Sequence, residues 1–196
     1  LMWVPDTYQG APIPVVLFLG SARMIAAFAL AFRLLVDGLG QLHADWQGML
    51  VILAIVSLAV GNLVAIAQTN IKRMLGYSSI AHAGYILIAV AANSATGISA
   101  ALFYMFAYVF TNMGAFAIVI AMERQLGKGV NLDDYKGLAK KAPWMALAMA
   151  FFMFSLTGIP PTGGFTAKYY VFGAAVDSGL IWLVVIGVLT SVVSGF

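Results

Sequence analysis

The side chain with most chemical promise is Lys168. It ends the stretch Gly158-Ile159-Pro160-Pro161-Thr162-Gly163-Gly164-Phe165-Thr166-Ala167-Lys168, which is flanked on both sides by apolar residues. A lysine at the centre of a membrane helix costs roughly 2.5–3.5 kcal/mol on insertion scales. Burial disfavours the charged form of any amine, so a buried lysine can take up and release a proton as its surroundings change. Pro160, Pro161, Gly163 and Gly164 break the helix just before it. They free backbone polar groups and leave room for water. The alternative is that Lys168 snorkels along its own stem to an interface, since the piece after the break is short.

Lys72 and Arg73 follow Gln68 and Asn70, a spacing more typical of an ordinary basic helix end. Ser78, Ser79, His82 and Tyr85 come next and supply donors and acceptors that could hold a file of water. A histidine, with an ordinary pKa of about 6.5, suits a proton shuttle, though a single intramembrane histidine can as well be a satisfied packing residue. Arg23 lies nine residues after Pro14 in an apolar run. A guanidinium stays protonated, so Arg23 would shape a field or pair with a carboxylate rather than relay a proton. No acidic residue of this chain is expected at its depth, and a snorkelling Arg23 is the other option. Tyr104, Tyr108, Thr111 and Asn112 recur at helical spacing and share a face. That face is either a water-lined path or, more commonly, an interhelical hydrogen-bond seam. Asp133, Asp134 and Lys136 fall in a hydrophilic loop and read as structural.

The elements that must position these groups follow from composition. The chain is 63% hydrophobic and 9% charged, with a mean hydropathy of +0.99. Soluble domains carry roughly 25% charged residues. The apolar runs have helix length, so the fold class is all-α: a polytopic transmembrane helix bundle rather than a barrel. The seven expected segments are 13–36, 48–69, 75–92, 98–122, 143–159, 163–176 and 180–196, forming one membrane domain. Taken as one helix, 143–176 would be about 50 Å long at ~1.5 Å per residue, against a hydrocarbon core of ~30 Å. Length therefore demands the break that proline and glycine supply. Residues 1–12 are expected at an interface, with Trp3 and Tyr8 as belt aromatics and Pro5, Gly10 and Pro12 opposing a stable helix. Residues 37–47 read as a loop. The loop 123–142 holds eight of the charged residues. With each segment crossing once, it shares a side with Lys72 and Arg73, and the positive-inside rule makes that side cytoplasmic. Net charge is +3, spread over loops and segment ends, which gives no nucleic-acid footprint. The absence of cysteine excludes thiolate metal sites and iron–sulfur ligation by this chain. The start without methionine and the end inside an apolar run suggest part of a longer polytopic protein.

Four stretches carry a resemblance: PDTYQGAP at 5–12, GNLVAIAQTNIKRMLGYSSIAHAGYILIAV at 61–90, LDDYKGLAKKAPW at 132–144 and GIPPTGGFTAKYYVF at 158–172. With them the chain resembles the subunit N family of bacterial NADH-quinone oxidoreductase, respiratory complex I. The mitochondrial counterpart is subunit 2, and the photosynthetic NDH complex has a similar component. The likeness runs over nearly the whole chain and corresponds to the middle-to-late part of that subunit. It implies an antiporter-like bundle of inverted five-helix repeats with broken helices, each half carrying a buried ionisable residue on a central polar axis. It also implies a proton-translocating, non-redox subunit of a bacterial inner-membrane complex. NADH, FMN, iron–sulfur clusters and quinone would belong to other subunits. The partners would be neighbouring membrane subunits, antiporter-like ones included, and the lipid bilayer.

By the same resemblance Lys168 matches the family's broken-helix lysine in GFxGKFY, and Pro160 and Pro161 match the break. Lys72, His82 and Tyr108 match polar positions along the axis. One position departs: the family lysine about ten residues after the proline of the GAPxP pattern is Met24 here, with Arg23 beside it. Either Arg23 takes over in a shifted register or the first half-site works differently, since an always-charged arginine is a poor proton carrier. The alternatives are a subunit of a multisubunit cation/proton antiporter of shared ancestry, or a structural membrane subunit with no ion path of its own.

Overall fold

The computed structural model describes residues 3–127 and 129–195. Lys128 of the hydrophilic loop and Phe196, the last residue of the expected segment 180–196, lie outside the described residues. Among the described residues there is no strand, and helices follow one another through short joints. They are α1 (Val4–Gly10), α2 (Ile13–Ala31), α3 (His43–Ile66), α4 (Ile71–Ala91), α5 (Ala95–Leu126), α6 (Leu138–Lys141), α7 (Pro143–Thr157), α8 (Gly163–Asp177) and α9 (Ile181–Val193). Among the described residues four stretches are long and apolar enough to cross a membrane: Ile13–Gly38, Gly40–Ile66, Ile71–Ala91 and Ala95–Gln125.

Local chemistry explains the helix ends. Asn70 caps α4, its side-chain oxygen accepting from the backbone N–H of Lys72 and Arg73 at 2.9 and 3.3 Å. Ser94 caps α5 through the Gly97 N–H at 3.0 Å. Gly127, with φ of 62°, ends α5 in the left-handed conformation.

Two expectations about loops are corrected. Residues 4–10 form a helix although Pro5 and Gly10 were expected to oppose one. Pro5 lies in the first turn, where the missing N–H has no intrahelical role, and Gly10 closes the last. Tyr8 on that helix is 1% exposed and packs edge-on against Phe116, so it is core rather than interfacial belt. The 37–47 loop is likewise mostly structured. α2 continues into a widened turn at Phe32–Gly38, a short turn follows at Gly40–Leu42, and α3 begins at His43.

α4 is the central helix. Of its most apolar stretch 78% is buried, against 28–44% for the other three long helices. Its most extensive packing is against α3. There Gly61 lets the two backbones approach until an added Cβ would collide with the backbone nitrogen and Cα of Ala81. α5 lies across α2, α7 and α8, and α9 rests on α3 and α8. The outward faces carry large apolar side chains such as Phe18, Leu30, Ile52, Leu63, Phe106, Phe110 and Leu189. In lipid such faces need no protein cover.

Both ends of α4 are tied to other parts of the chain. At its start Ile71 N–H donates to Val130 O, and Leu132 N–H to Thr69 O, each at 2.9 Å. These bonds put Lys72, Arg73 and the 129–132 segment at one end of the bundle. The loop is held internally by Asp134, whose carboxylate accepts from the N–H groups of Gly129 and Asn131, and by Tyr135, whose hydroxyl donates to Gly129 O. Burial, then the neighbouring Asp134 carboxylate, raises the Tyr135 phenol above its ordinary value, so it remains a donor. At the far end the carbonyl of Ala91 accepts from His43 and Gln47, and Ser178 donates to Ala92 O.

Gly61→Val is expected to force α3 off α4 and lower stability by about 1–3 kcal/mol, the usual cost of overpacking. Thermal unfolding of the purified protein in detergent, followed by circular dichroism, measures it. An unchanged midpoint would mean that the close approach at Gly61 is not holding the pair.

Candidate functional site

The site is built on the break between α7 and α8. α7 stops at Gly158, whose φ of 88° only glycine adopts readily. The N–H groups of Gly158 and Ile159 both turn back to Phe154 O, at 2.9 and 3.0 Å. Pro160 and Pro161 have no N–H to continue a helix. Thr162 restarts the chain, its hydroxyl donating to Ile159 O at 2.7 Å. Gly164 then passes so close to α7 that an added Cβ would overlap the Ser155 carbonyl oxygen.

The break leaves the Thr157 carbonyl without a helical partner, and Lys168 fills the gap. Its Nζ donates to Thr157 O at 2.6 Å and to Ser191 Oγ on α9 at 2.7 Å. The same ammonium sits 4.7 Å from the centre of the Tyr85 ring on α4. A cation at a helix C-terminus and over an aromatic face is doubly favoured. Lys168 is 5% exposed, and its head points into the bundle rather than out to an interface.

His82 is equally buried, and its Nδ1 lies 2.7 Å from the Tyr104 hydroxyl. The rings of Tyr85, Tyr104 and Tyr108 surround it at 4.9–6.1 Å. Lys168, His82 and Tyr85 share a cavity of about 300 Å³. Its other walls include Asn62, Ser78, Gln68 and Leu132, so it extends from the break toward the end of the bundle where the 129–132 segment is tied down. With a water occupying about 30 Å³ and needing two to four polar partners, this volume and lining suit several waters. On the other side of His82 a separate space of about 10 Å³, lined by Thr111 and Ser155, is at the limit of a single water. Thr111 and Ser155 hydrogen-bond each other there at 3.1 Å.

Other residues singled out in the sequence stand elsewhere. Lys72, 8% exposed, donates its Nζ to Gln9 O and Ala11 O at 3.0 and 3.1 Å, across the joint of α1 and α2. It thus meets freed carbonyls as Lys168 does, but outside the Lys168 cavity. Arg73 is paired with Asp6 at 2.8 Å. Tyr108 stays beside His82, its ring 4.9 Å away, whereas Arg23 is not among the residues lining the Lys168 cavity. The Arg23 Nε and the Tyr8 and Tyr108 hydroxyls are buried without a hydrogen-bond partner among the described residues, as is the Asn112 amide nitrogen. Two of these atoms converge over Gly20, where an added Cβ would lie 2.7 Å from Asn112 Nδ2 and 2.8 Å from the Tyr8 oxygen. Met24 is buried, and the Arg23 guanidinium lies 5.7 Å from the Trp3 ring.

Sequence reasoning passed over Ser191, Thr157 and Asn62. The available signal for Ser191 was a pair of hydroxyl residues, Thr190 and Ser191, in an otherwise aliphatic segment. Thr157 acts through its backbone, which no side-chain pattern reports. Among the described residues no three of His, Cys, Asp or Glu come together in a way that could hold a metal ion.

The family model described as NADH:quinone oxidoreductase/Mrp antiporter, TM, matches residues 1–194. NADH-quinone oxidoreductase subunit N of Thioalkalivibrio sulfidiphilus is 53% identical over 195 residues, covering 100% of this chain and 41% of the relative. The same subunit of Nitrosomonas europaea is 50% identical, covering 100% and 40%. The chain therefore spans about 40% of the length of the curated relatives it matches. Among solved structures, respiratory complex I from Thermus thermophilus with bound aureothin is similar, with a TM-score of 0.80 and 38% identity over 99% of this chain and 42% of that one. The Mrp complex from Dietzia sp. DQ12-45-1b is similar at a TM-score of 0.88 and 26% identity, over 98% and 36%.

The two glycines that open α8 are expected to separate under substitution. Gly163→Ala places its Cβ in ordinary contact, 3.9 Å from Ala107, and should be tolerated. Gly164→Ala meets the Ser155 carbonyl and should cost about 1–3 kcal/mol while moving α8 away from α7. Thermal unfolding of the two variants side by side tests this, and equal behaviour would contradict the described joint.

Proposed function

The chain belongs to the NADH:quinone oxidoreductase/Mrp antiporter transmembrane family, and from that premise we propose that it is part of a proton-translocating membrane subunit of a bacterial NADH-quinone oxidoreductase. The subunit would lie in the cytoplasmic (inner) membrane among other antiporter-like subunits. It would carry no redox centre of its own; NADH, FMN, iron–sulfur clusters and quinone would be handled by its partners. The observation that carries this proposal is the buried Lys168 ammonium, seated on a helix break in a cavity whose wall also includes Asn62, Gln68, Ser78 and His82.

The geometry supports a simple mechanism. Water in the cavity gives Lys168 a route for proton exchange toward one end of the bundle, with His82 and Tyr104 as neighbouring donors and acceptors. Rearrangement of that water, or of the break, changes how well the charged amine is solvated. Each pKa unit of change corresponds to about 1.36 kcal/mol, so a swing of three units needs roughly 4 kcal/mol from coupled redox chemistry. Lys72 would respond through the carbonyls of Gln9 and Ala11, linking its protonation to the α1–α2 joint. Arg23 would act as a fixed charge whose field reaches Tyr8 and Tyr108, in place of the titrating lysine that Met24 lacks.

A second reading, a subunit of a cation/proton antiporter, is favoured by the TM-score of 0.88 to the Mrp complex. The higher sequence identity to NADH-quinone oxidoreductase subunits favours the first. Co-purification with flavin and iron–sulfur subunits would support the first, and sodium-dependent proton flux without NADH the second.

Lys168→Ala in the full complex, reconstituted in vesicles, is expected to leave NADH oxidation running while proton pumping falls. Simultaneous measurement of NADH oxidation and internal pH reads both. Unchanged pumping would remove Lys168 from the proton path.

A further inference from the structure

We propose that Ser191 on α9 is a positioning residue for Lys168, its hydroxyl serving both protonation states of the amine; this rests on Lys168 being the exchanging group. The Lys168 Nζ lies 2.7 Å from Ser191 Oγ, and Ser191 Oγ in turn lies 3.3 Å from Thr157 O, the carbonyl to which Nζ also donates. The three atoms form a triangle at the break.

A serine hydroxyl has one donor and two acceptor sites, whereas an ammonium can only donate and a carbonyl can only accept. With Lys168 charged, Ser191 Oγ accepts one N–H and its own hydrogen points to Thr157 O. With Lys168 neutral, the amine gains a lone pair that wants a donor. The Thr157 carbonyl cannot supply one. Nearby hydroxyls are committed elsewhere: Tyr85 donates to Gly187 O, and the Thr157 side chain donates to Met153 O. Ser191 alone of these contacts meets the neutral amine by rotating a single hydroxyl, with no backbone movement. Both forms of the lysine are then hydrogen-bonded at the same spot, which keeps the exchange from stranding an unpaired buried group.

Ser191 is held in place without needing that hydroxyl for packing. α9 is fastened to α3 by Asn62, whose amide donates to Thr190 O at 3.1 Å, and to α4 by the Tyr85 hydroxyl on Gly187 O at 3.4 Å. Its Leu183 and Gly187 are buried. Ser191 itself is half-buried. The hydroxyl is therefore spare in the fold and engaged only at the break.

The test compares Ser191→Ala, Ser191→Thr and Ser191→Val with Lys168→Ala, each in the full complex reconstituted in vesicles and retaining NADH oxidation. Threonine and valine have nearly the same shape and differ in the hydroxyl. The expected result is that threonine keeps NADH-driven proton pumping near the parent rate while alanine and valine both lower it by more than about tenfold, the least that losing one hydrogen bond to a charged group brings. If threonine and valine behave alike and alanine stands apart, volume rather than the hydroxyl matters and the proposal is overturned. If all three Ser191 variants pump normally while Lys168→Ala does not, the proposal fails and the role of Lys168 stands. Normal pumping by Lys168→Ala would overturn both.

Discussion

The structure turns on one exchange between a cation and a broken helix. An α-helix that stops inside a membrane leaves carbonyl oxygens with nothing to accept from, and lipid offers no water to replace them. A lysine buried in the same region has three N–H donors and a charge that lipid does not tolerate. At 2.6 Å from Thr157 O, the Lys168 ammonium resolves both difficulties at once. Neither partner is stable there alone. The joint therefore depends on the Lys168 ammonium staying on the Thr157 carbonyl.

The rest of the bundle protects that exchange. α4 brings Tyr85 over the ammonium and His82 to the cavity wall, and it can do so because small residues let α3 and α4 lie against each other. α9 contributes Ser191 and is fastened by Asn62 and Tyr85. α5 supplies Tyr104 to the far side of His82. Lys72 repeats the motif in miniature, spanning the carbonyls of Gln9 and Ala11 where α1 gives way to α2. In both places a lysine meets backbone carbonyls where one helix gives way to the next.

Much of this was legible without coordinates. Composition and run length are enough for an all-helical membrane protein, because only helices or closed barrels satisfy the backbone in lipid. The long motifs around Lys72, His82 and Lys168 are enough for the family. The break at Pro160 follows from chain length against bilayer thickness and from the missing N–H groups of two prolines. Local expectations failed where a residue's effect depends on its position within an element. Pro5 opens a helix instead of preventing one, and Tyr8, read as interfacial, is core because Phe116 and Gly20 receive it.

Composition, run length and motif are thus enough for the class of the fold, the existence of the break and the residue types able to handle a proton. Which of those residues meet is settled by packing. Lys168 and His82 face one cavity, Tyr108 packs against His82, Lys72 serves another joint, and Arg23 is not among the residues lining that cavity. Ser191 joins the site from 23 residues away and Thr157 joins it through a backbone oxygen. Neither can be read from a pattern of side chains. Periodicity reports which way a residue faces on its own helix, whereas the partner it meets is set by how helices cross, and that is decided by packing between residues far apart in the chain.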